Sequence, residues 1–264
     1  MTELIMGSPR AVPLSALSEQ RRTAWSLVLW NLDHARAKTH DAARVAAISE
    51  SDPDIVVLTE THDRMRPEGE GWSPVHSEPR PGCEQGERWV SLWVRPEVAV
   101  TAIIDTLDPL RTVAALLDHQ GRQLLIYATV MPWRTDGGDE PSDPPRANWS
   151  EHRRVIPDQI KEWGELAARY PDASLIVAGD WNTDLTVGTG LTRYPYGLKE
   201  QTAQLVGSAA NLGLRIVTSR QPDPGPERDW LIDHVALPST WPVTVSSRSL
   251  KLATDHPLVM IKVN

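Results

Sequence analysis

The sequence contains no phenylalanine and only one cysteine, Cys83, among its 264 residues. A single cysteine excludes an intramolecular disulfide and any zinc site built mainly from cysteine. Because phenylalanine is absent, leucine and the 11 tryptophans must fill the large positions of a core. Each buried indole then needs a hydrogen-bond partner for its N–H group.

Positive charge is also scarce, since 27 Lys and Arg stand against 35 Asp and Glu, for a formal net charge of −8. Proteins that coat nucleic acid non-specifically usually carry a basic face. The acidic balance therefore disfavours a processive enzyme on duplex nucleic acid, although it leaves room for a local basic cleft.

Long apolar segments are missing as well. No run approaches the roughly 20 apolar residues of a membrane-spanning helix. The N-terminal stretch MTELIMGSPRAVPLS starts acidic and lacks the long apolar region of a secretory signal. We therefore expect a soluble protein without a membrane span, located in the cytoplasm.

Short apolar runs alternate with amphipathic segments along the chain. The runs at 24–31 and 54–61 have the length of buried strands, and the Ala-rich segment 40–50 between them has a helical period. Further strands are predicted at 88–96, 98–105, 173–182, 229–238, 243–250 and 256–263, with two more within 112–133, and further helices within 151–170 and at 199–213. Residues 1–22 show little pattern. We expect an N-terminal extension followed by one α/β (α+β) domain at 23–264.

Several predicted strands carry a polar side chain at or near one end. Alternate residues of a strand share a face, so Asp180 and Asn182 should point together while Trp181 anchors the core. By the same rule Asp233 and His234 point oppositely, and we interpret His234 as structural. Any one of these residues could be a simple turn residue, but their recurrence at five strand ends predicts a shared site. The set is Asn31, Glu60, Asp180 with Asn182, Asp233, and the pair Asp255–His256.

These segments resemble the endonuclease/exonuclease/phosphatase superfamily, the metal-dependent phosphoesterases related to pancreatic deoxyribonuclease and apurinic endonucleases. The matching motifs stand in the family's order: LWN (29–31), DPDIVVLTE (52–60), AGDWN (178–182), LIDHV (231–235) and TDHPLV (254–259). The resemblance implies a four-layer sandwich, in which two packed mixed β-sheets are flanked by helices and the site lies at one edge.

The resemblance also implies Mg²⁺-dependent chemistry, with Mn²⁺ as an alternative metal. Mg²⁺ prefers oxygen ligands and keeps several waters, so one or two carboxylates suffice to hold it. Glu60 is the expected principal metal ligand, and Asp255 would bind the metal directly or through water. Asn31 would support either the metal or the phosphate.

The remaining motif residues take roles in hydrolysis by the same resemblance. Asp180 would position and help deprotonate the attacking water, and Asn182 would hydrogen-bond the phosphate or fix that water. His256 would contact the scissile phosphate, while Asp233 would orient His256 and raise its pKa. Which group is the general base stays open.

Substrate contacts are less well indicated. The position where the family has Tyr or His holds Met131, which cannot donate a hydrogen bond to a phosphate. Either Arg134 or another residue compensates, or this branch of the family works without that contact. Arg153 in the following helix is a second phosphate contact or a solvated charge. Tyr194 and Tyr196 could stack a base, or they could simply pack their loop.

We therefore predict an enzyme that hydrolyses the phosphodiester bonds of a nucleic acid, a nucleotide or a small phosphoester. One alternative is a phosphatase or phospholipase-type enzyme acting on a lipid or sugar phosphate. Another is a catalytically weakened binding protein of the same fold. The sequence does not indicate an oligomeric state.

Overall fold

A computed structural model of the chain describes residues 24–138, 147–185, 196–220 and 232–264. The strands of these ranges are β1 (Trp25–Asn31), β2 (Ile55–His62), β3 (Ser73–His76), β4 (Glu87–Val94), β5 (Ala99–Ile104), β6 (Thr112–His119), β7 (Arg122–Val130), β8 (Ser174–Asp180), β9 (Leu214–Ile216), β10 (Asp233–Pro238), β11 (Val243–Arg248) and β12 (Leu258–Val263). The α-helices of these ranges are α1 (Asp41–Glu50), α2 (Ser150–Arg169) and α3 (Lys199–Asn211), and short 3-10 helices lie at Asp33–Ala35, Lys38–His40 and Val217–Arg220.

The strands form two six-stranded sheets, with orders β11-β12-β1-β2-β4-β3 and β5-β6-β7-β8-β10-β9. One pair in each sheet is parallel, β1 with β2 and β7 with β8, and the other neighbours are antiparallel. Both sheets are therefore mixed, as predicted. The parallel strands are covered on both faces, which explains why their sequences are continuous apolar runs.

Three apolar clusters define the layers of the fold. The inner faces of the two sheets pack together, with Leu29 of one sheet and Ile126 of the other in the same fully buried cluster. On the outer face of the first sheet, Trp30 packs with Ile48 of α1. On the outer face of the second sheet, Tyr127 packs with residues of α2 and α3. The order is helix, sheet, sheet, helices, which confirms the four-layer sandwich.

The structure differs from the sequence prediction at a few short elements. β3 and β9 were not predicted, because each has only three or four residues and too few buried positions to show a period. β2 ends at His62, one residue beyond the predicted run at 54–61, so Glu60 lies inside the strand. The expected extension at 1–22 and part of the predicted strand at 229–238 lie outside the described residues. Among the described helices, none is long and apolar enough to cross a membrane.

The carboxyl ends of both parallel pairs lie at the same edge of the sandwich. Gly179 makes this edge tight: a Cβ added there would lie 1.8 Å from the backbone oxygen of Thr129, and its φ is 152°. Only glycine lets β7 and β8 approach so closely in that conformation. The next residue in β8 is Asp180, so this close pairing fixes the position of its carboxylate.

Candidate active site

Asn31, the last residue of β1, joins the two sheets at this edge. Its Nδ2 donates to Glu60 Oε1 at 3.1 Å and to Asp180 Oδ2 at 2.9 Å. Its Oδ1 accepts the backbone N–H of Asp33 at 2.8 Å. Because a backbone donor fixes the amide oxygen, Asn31 presents its NH₂ group to the two carboxylates. In this arrangement Asn31 holds the two carboxylates close together.

Glu60 turns into the site because its backbone leaves the strand conformation, with φ at 44°. The strand continues past it, pairing Thr59 with Val90 and Thr61 with Arg88. A residue other than glycine in the left-handed region carries about 1–3 kcal/mol of backbone strain, and such strain clusters at functional sites. Burial would raise the pKa of Glu60, but hydrogen bonds from His34 and Asn31 outweigh it and lower the pKa below its usual value.

Asp180 lies at the centre of the site and is 1% exposed. Burial raises its pKa to about 8, with a further contribution from the negative charge of Asp233. Its Oδ1 accepts the backbone N–H of Asn182 at 2.8 Å. Burial thus makes this carboxylate a stronger base than an exposed one, while the hydrogen bond from Asn182 fixes its direction and opposes part of the rise in pKa.

Asn182 reaches the site by a different route from the one predicted. Its φ is 48°, so the strand geometry ends at Asp180 and the two-residue period does not apply. Asn182 nevertheless lines the same cavity as Asp180, and its Nδ2 donates to the backbone oxygen of Met131 at 2.8 Å. Trp181 is fully buried and packs 5.6 Å from the ring of Trp163, which confirms its role as a core anchor.

Asp233 and His256 form a pair on the far side of Asp180. Asp233 opens β10 directly opposite Asp180 in the antiparallel register. Its Oδ2 lies 2.7 Å from Nδ1 of His256. The carboxylate therefore accepts the Nδ1 proton, and the other ring nitrogen, Nε2, lies 3.6 Å from Asp255 Oδ1. Trp30 Nε1 also donates to the backbone oxygen of His256 at 3.1 Å, so the loop before β12 is held in place.

His234 is fully buried and does not line the cavity. Its Nδ1 lies 3.0 Å from Thr218 Oγ1 and its Nε2 donates to the backbone oxygen of Thr183 at 2.8 Å. Burial lowers its pKa to about 4, so the ring is neutral at pH 7. These contacts agree with the structural role expected from the sequence.

These side chains surround a cavity of about 400 Å³. It is lined by His34, Glu60, Trp133, Asp180, Asn182, Tyr196, Ile232, Asp255 and His256. The sequence indicated most of this set and missed His34, Trp133 and Ile232. His34 lies in a left-handed turn that has no periodic signature, and Trp133 and Ile232 resembled ordinary core residues.

Of the predicted substrate contacts, one lines the cavity and the others do not or lie outside the described residues. Tyr196 lines the cavity, and its hydroxyl accepts the backbone N–H of Arg134 at 3.2 Å, while the Arg134 side chain is exposed. Arg153 is exposed in the first turn of α2 and is not among the residues that line the cavity. Tyr194 lies outside the described residues. Met131 is fully buried against the helix layer and is not among the residues that line the cavity.

The chemistry of the site fits a divalent cation. Two groups of side chains, Asp33–His34–Glu60 and Asp180–Asp233–His256, each bring potential ligand atoms within 4.8 Å of one another. Within the described ranges, Oδ1 of the buried Asp233 has no hydrogen-bond partner. Neither Lys nor Arg is among the described lining residues, so the repulsion between the carboxylates calls for a cation.

Comparison with known proteins agrees with this geometry. The sequence matches the model of the Endonuclease/Exonuclease/phosphatase family over residues 28–256. The fold is similar to the AP endonuclease of Leishmania major, with a TM-score of 0.65 and 14% identity over 98% of this chain and 92% of that one. It is also similar to the human nocturnin catalytic domain, with a TM-score of 0.64 and 16% identity over 91% and 94% of the two chains.

A third similar structure is an endonuclease/exonuclease/phosphatase family protein from Bacteroides thetaiotaomicron, with a TM-score of 0.61 and 14% identity over 91% of this chain and 97% of that one. A search of curated proteins finds no match. The family match includes every site residue from Asn31 to His256. The chain therefore belongs to the Endonuclease/Exonuclease/phosphatase family, and it is a hydrolytic enzyme of the class that acts on phosphodiester substrates.

Proposed function

We propose that this chain is a Mg²⁺-dependent phosphodiesterase that acts on nucleotides or single-stranded nucleic acid. The observation that carries the proposal is the convergence of Asn31, Glu60 and Asp180 with the Asp233–His256 pair in one cavity. Phosphodiester hydrolysis needs a positioned water, a charge partner for the phosphate oxygens and help for the leaving oxygen. This cavity offers a candidate for each.

The expected metal ligands are Glu60 and Asp255, which both line the cavity. A bound Mg²⁺ supplies Lewis-acid stabilisation of the negative charge on the phosphate oxygens. Asn31 keeps the Glu60 carboxylate close to Asp180, because its NH₂ group donates to both. Mn²⁺, which accepts the same oxygen donors, is the alternative metal.

Asp180 is our candidate for the group that positions the water and accepts its proton. Its raised pKa matches the proton affinity that a general base needs near neutral pH. Asn182 helps to set its direction, since the backbone N–H of Asn182 occupies Oδ1. The side-chain amide of Asn182, fixed by Met131, is available to orient the water or the phosphate.

His256 is our candidate for the contact with the scissile phosphate. Asp233 holds the Nδ1 side of the ring, and Nε2 is on the opposite side, 3.6 Å from Asp255 Oδ1, in a ring that lines the cavity. When the ring is doubly protonated, its Nε2–H can donate to a phosphate oxygen or transfer a proton to the leaving oxygen. Tyr196, which lines the cavity, is our candidate for the phosphate contact that Met131 cannot make.

Two aromatic rings of the cavity support a substrate that carries a base. Trp133 packs against Trp89 at 5.5 Å between ring centroids, and Tyr196 packs against Trp149 at 5.0 Å. Rings braced in this way can stack a nucleobase with little loss of conformational freedom. A volume of about 400 Å³ suits a group the size of one nucleotide, and the acidic lining disfavours a duplex.

The proposal extends to the organisation and location of the chain. We propose that residues 23–264 form a single catalytic domain, that residues 1–22 are an extension, and that the enzyme acts in the cytoplasm. The first two rest on the pattern of predicted elements, and the third rests on the composition of the chain.

A substrate panel with added Mg²⁺ tests the proposed function. The substrates are a single-stranded oligonucleotide, a cyclic or dinucleotide diester, a phosphate monoester and a phospholipid in mixed micelles. We expect the highest kcat/KM on the two nucleotide diesters. Preferential hydrolysis of the monoester or the phospholipid would contradict the proposed substrate class, and no hydrolysis of any phosphoester would contradict the enzyme assignment.

Replacing Trp133 with Leu should weaken the binding of a nucleotide substrate while sparing the chemical step. Loss of one base–aromatic stack costs about 1–3 kcal/mol, which is roughly a 5- to 150-fold rise in KM. The measurement is KM and kcat on a dinucleotide beside a dimethyl or other ring-free phosphodiester. Equal effects on the two substrates would show that Trp133 shapes the cavity and does not stack a base.

A further inference from the structure

His34 makes an unusual contact with the expected metal ligand. Its Nε2 lies 2.9 Å from Glu60 Oε2, and its Nδ1 lies 2.6 Å from Nη1 of Arg80. His34 is 9% exposed, and it lines the cavity. The two ring nitrogens of His34 are therefore both engaged, one by the Arg80 guanidinium and the other by the Glu60 carboxylate.

The two contacts define the tautomer of the ring. A guanidinium can only donate hydrogen bonds, so Nδ1 of His34 must accept from Arg80. A neutral imidazole whose Nδ1 accepts carries its proton on Nε2, and this N–H points at Glu60 Oε2. In this state Nε2 cannot coordinate a metal. His34 therefore acts on the cation site through Glu60, although its position beside Asp33 and Glu60 would also suit a ligand.

The contacts of His34 are kept although the backbone around it is strained. Asp33, His34 and Ala35 all have left-handed backbone angles, with φ of 46°, 58° and 49°. Arg80 is itself fixed, since its Cζ lies 3.8 Å above the ring of Trp89 and its Nη1 lies 3.2 Å from Glu87 Oε2. A run of left-handed residues persists only where the structure around it is strongly determined, and such strain marks functional positions.

We infer that His34 is a positioning residue for metal binding, which directs the carboxylate of Glu60 by donating Nε2–H to Oε2. The inference rests on the proposed function, because it takes Glu60 as a metal ligand. With His34 on Oε2 and Asn31 on Oε1, the carboxylate is fixed at both oxygens and loses little freedom when a cation binds. Groups that orient a metal ligand in this way typically contribute 10- to 100-fold to metal affinity.

Two matched substitutions separate this role from a purely structural one. In His34→Gln the side-chain NH₂ occupies the place of Nε2 and can still donate to Glu60. In His34→Asn the shorter amide reaches only the place of Nδ1, so it can accept from Arg80 but cannot reach Glu60. Asn also tolerates left-handed backbone angles, so the variant that loses the contact is the one better suited to fold.

The measurement is Mg²⁺ and Mn²⁺ binding to the chelator-treated full-length protein by calorimetry, with thermal unfolding as the check on folding. We expect His34→Asn to weaken the affinity by about 10- to 100-fold and His34→Gln to stay within about threefold of wild type. Equal affinity in wild type and His34→Asn would overturn the inference while leaving the proposed function intact. Absence of Mg²⁺ and Mn²⁺ binding by the wild type would instead contradict the proposed function itself.

Discussion

Replacing Asp180 with Asn should lower kcat on a phosphodiester by about 10³-fold, the middle of the range for loss of a positioned general base. Asn keeps the size of the side chain and can still accept the backbone N–H of Asn182, but it cannot take a proton from water. Binding of substrate should change much less than kcat. Steady-state kinetics with saturating Mg²⁺ measure both parameters.

Asp172→Asn is the matched control. Asp172 is exposed just before the opposite end of β8, so the same change of charge there should leave kcat within about twofold. If Asp180→Asn retained wild-type kcat on every diester that the wild type cleaves, Asp180 would have no part in the chemical step.

The same variant, Asp180→Asn, also tests the raised pKa of Asp180 through the pH dependence of the free energy of unfolding. Burial raises the folded-state pKa of Asp180 from 3.8 to about 8 in the absence of metal. The folded state then holds a proton that the unfolded state has lost, so this group reduces stability as pH rises from about 4 to about 8. Thermal unfolding of metal-free protein should show that Asp180→Asn gains stability relative to wild type over that interval. A constant difference would show that Asp180 is ionised in the metal-free fold.

Replacing Glu60 with Gln should weaken Mg²⁺ binding by about 100-fold or more, a larger effect than expected for a residue that only orients a ligand. Mg²⁺ binds through few protein oxygens, so the loss of one carboxylate removes a large part of the attraction. The Gln side chain keeps an oxygen and nearly the same volume. Calorimetry on the metal-free protein measures the dissociation constant directly.

Glu97→Gln is the control for the loss of one negative charge. Glu97 is exposed in the turn between β4 and β5, away from the residues that line the cavity. Its replacement should leave Mg²⁺ affinity within about twofold. Unchanged affinity in Glu60→Gln would place the cation on other ligands, with the Asp180–Asp233–His256 group as the next to examine.

Much of the fold could be predicted because the buried strands are long and apolar. The strands around Leu29, Val57 and Ile176 are covered on both faces by packed layers. Their sequences are therefore continuous apolar runs, which can be recognised as strands. β3 could not be predicted, because only Val75 of its four residues is buried. A single buried position gives no period, and the pairing of β3 with β4 depends on contacts far apart in the sequence.

The site was predictable where polar residues interrupt apolar strands, as at Asn31, Asp180 and Asp233. It was not predictable where backbone conformation directs a side chain. Glu60 and Asn182 both reach the cavity through left-handed angles, which no strand period encodes. His34 was missed for the same reason: its contact with Glu60 depends on a turn and on Arg80, which is 46 residues away in the sequence.

The most direct test of the account is whether hydrolysis depends on a divalent cation. The measurement is the initial rate at which the wild type cleaves a single-stranded oligonucleotide in Mg²⁺, after chelation, and after Mg²⁺ is restored. We predict that chelation abolishes cleavage, that restored Mg²⁺ recovers it, and that Asp180→Asn stays nearly inactive throughout. Cleavage that survives chelation, or that Asp180→Asn performs at the wild-type rate, would contradict the proposal that this cavity is a metal-dependent phosphodiesterase site.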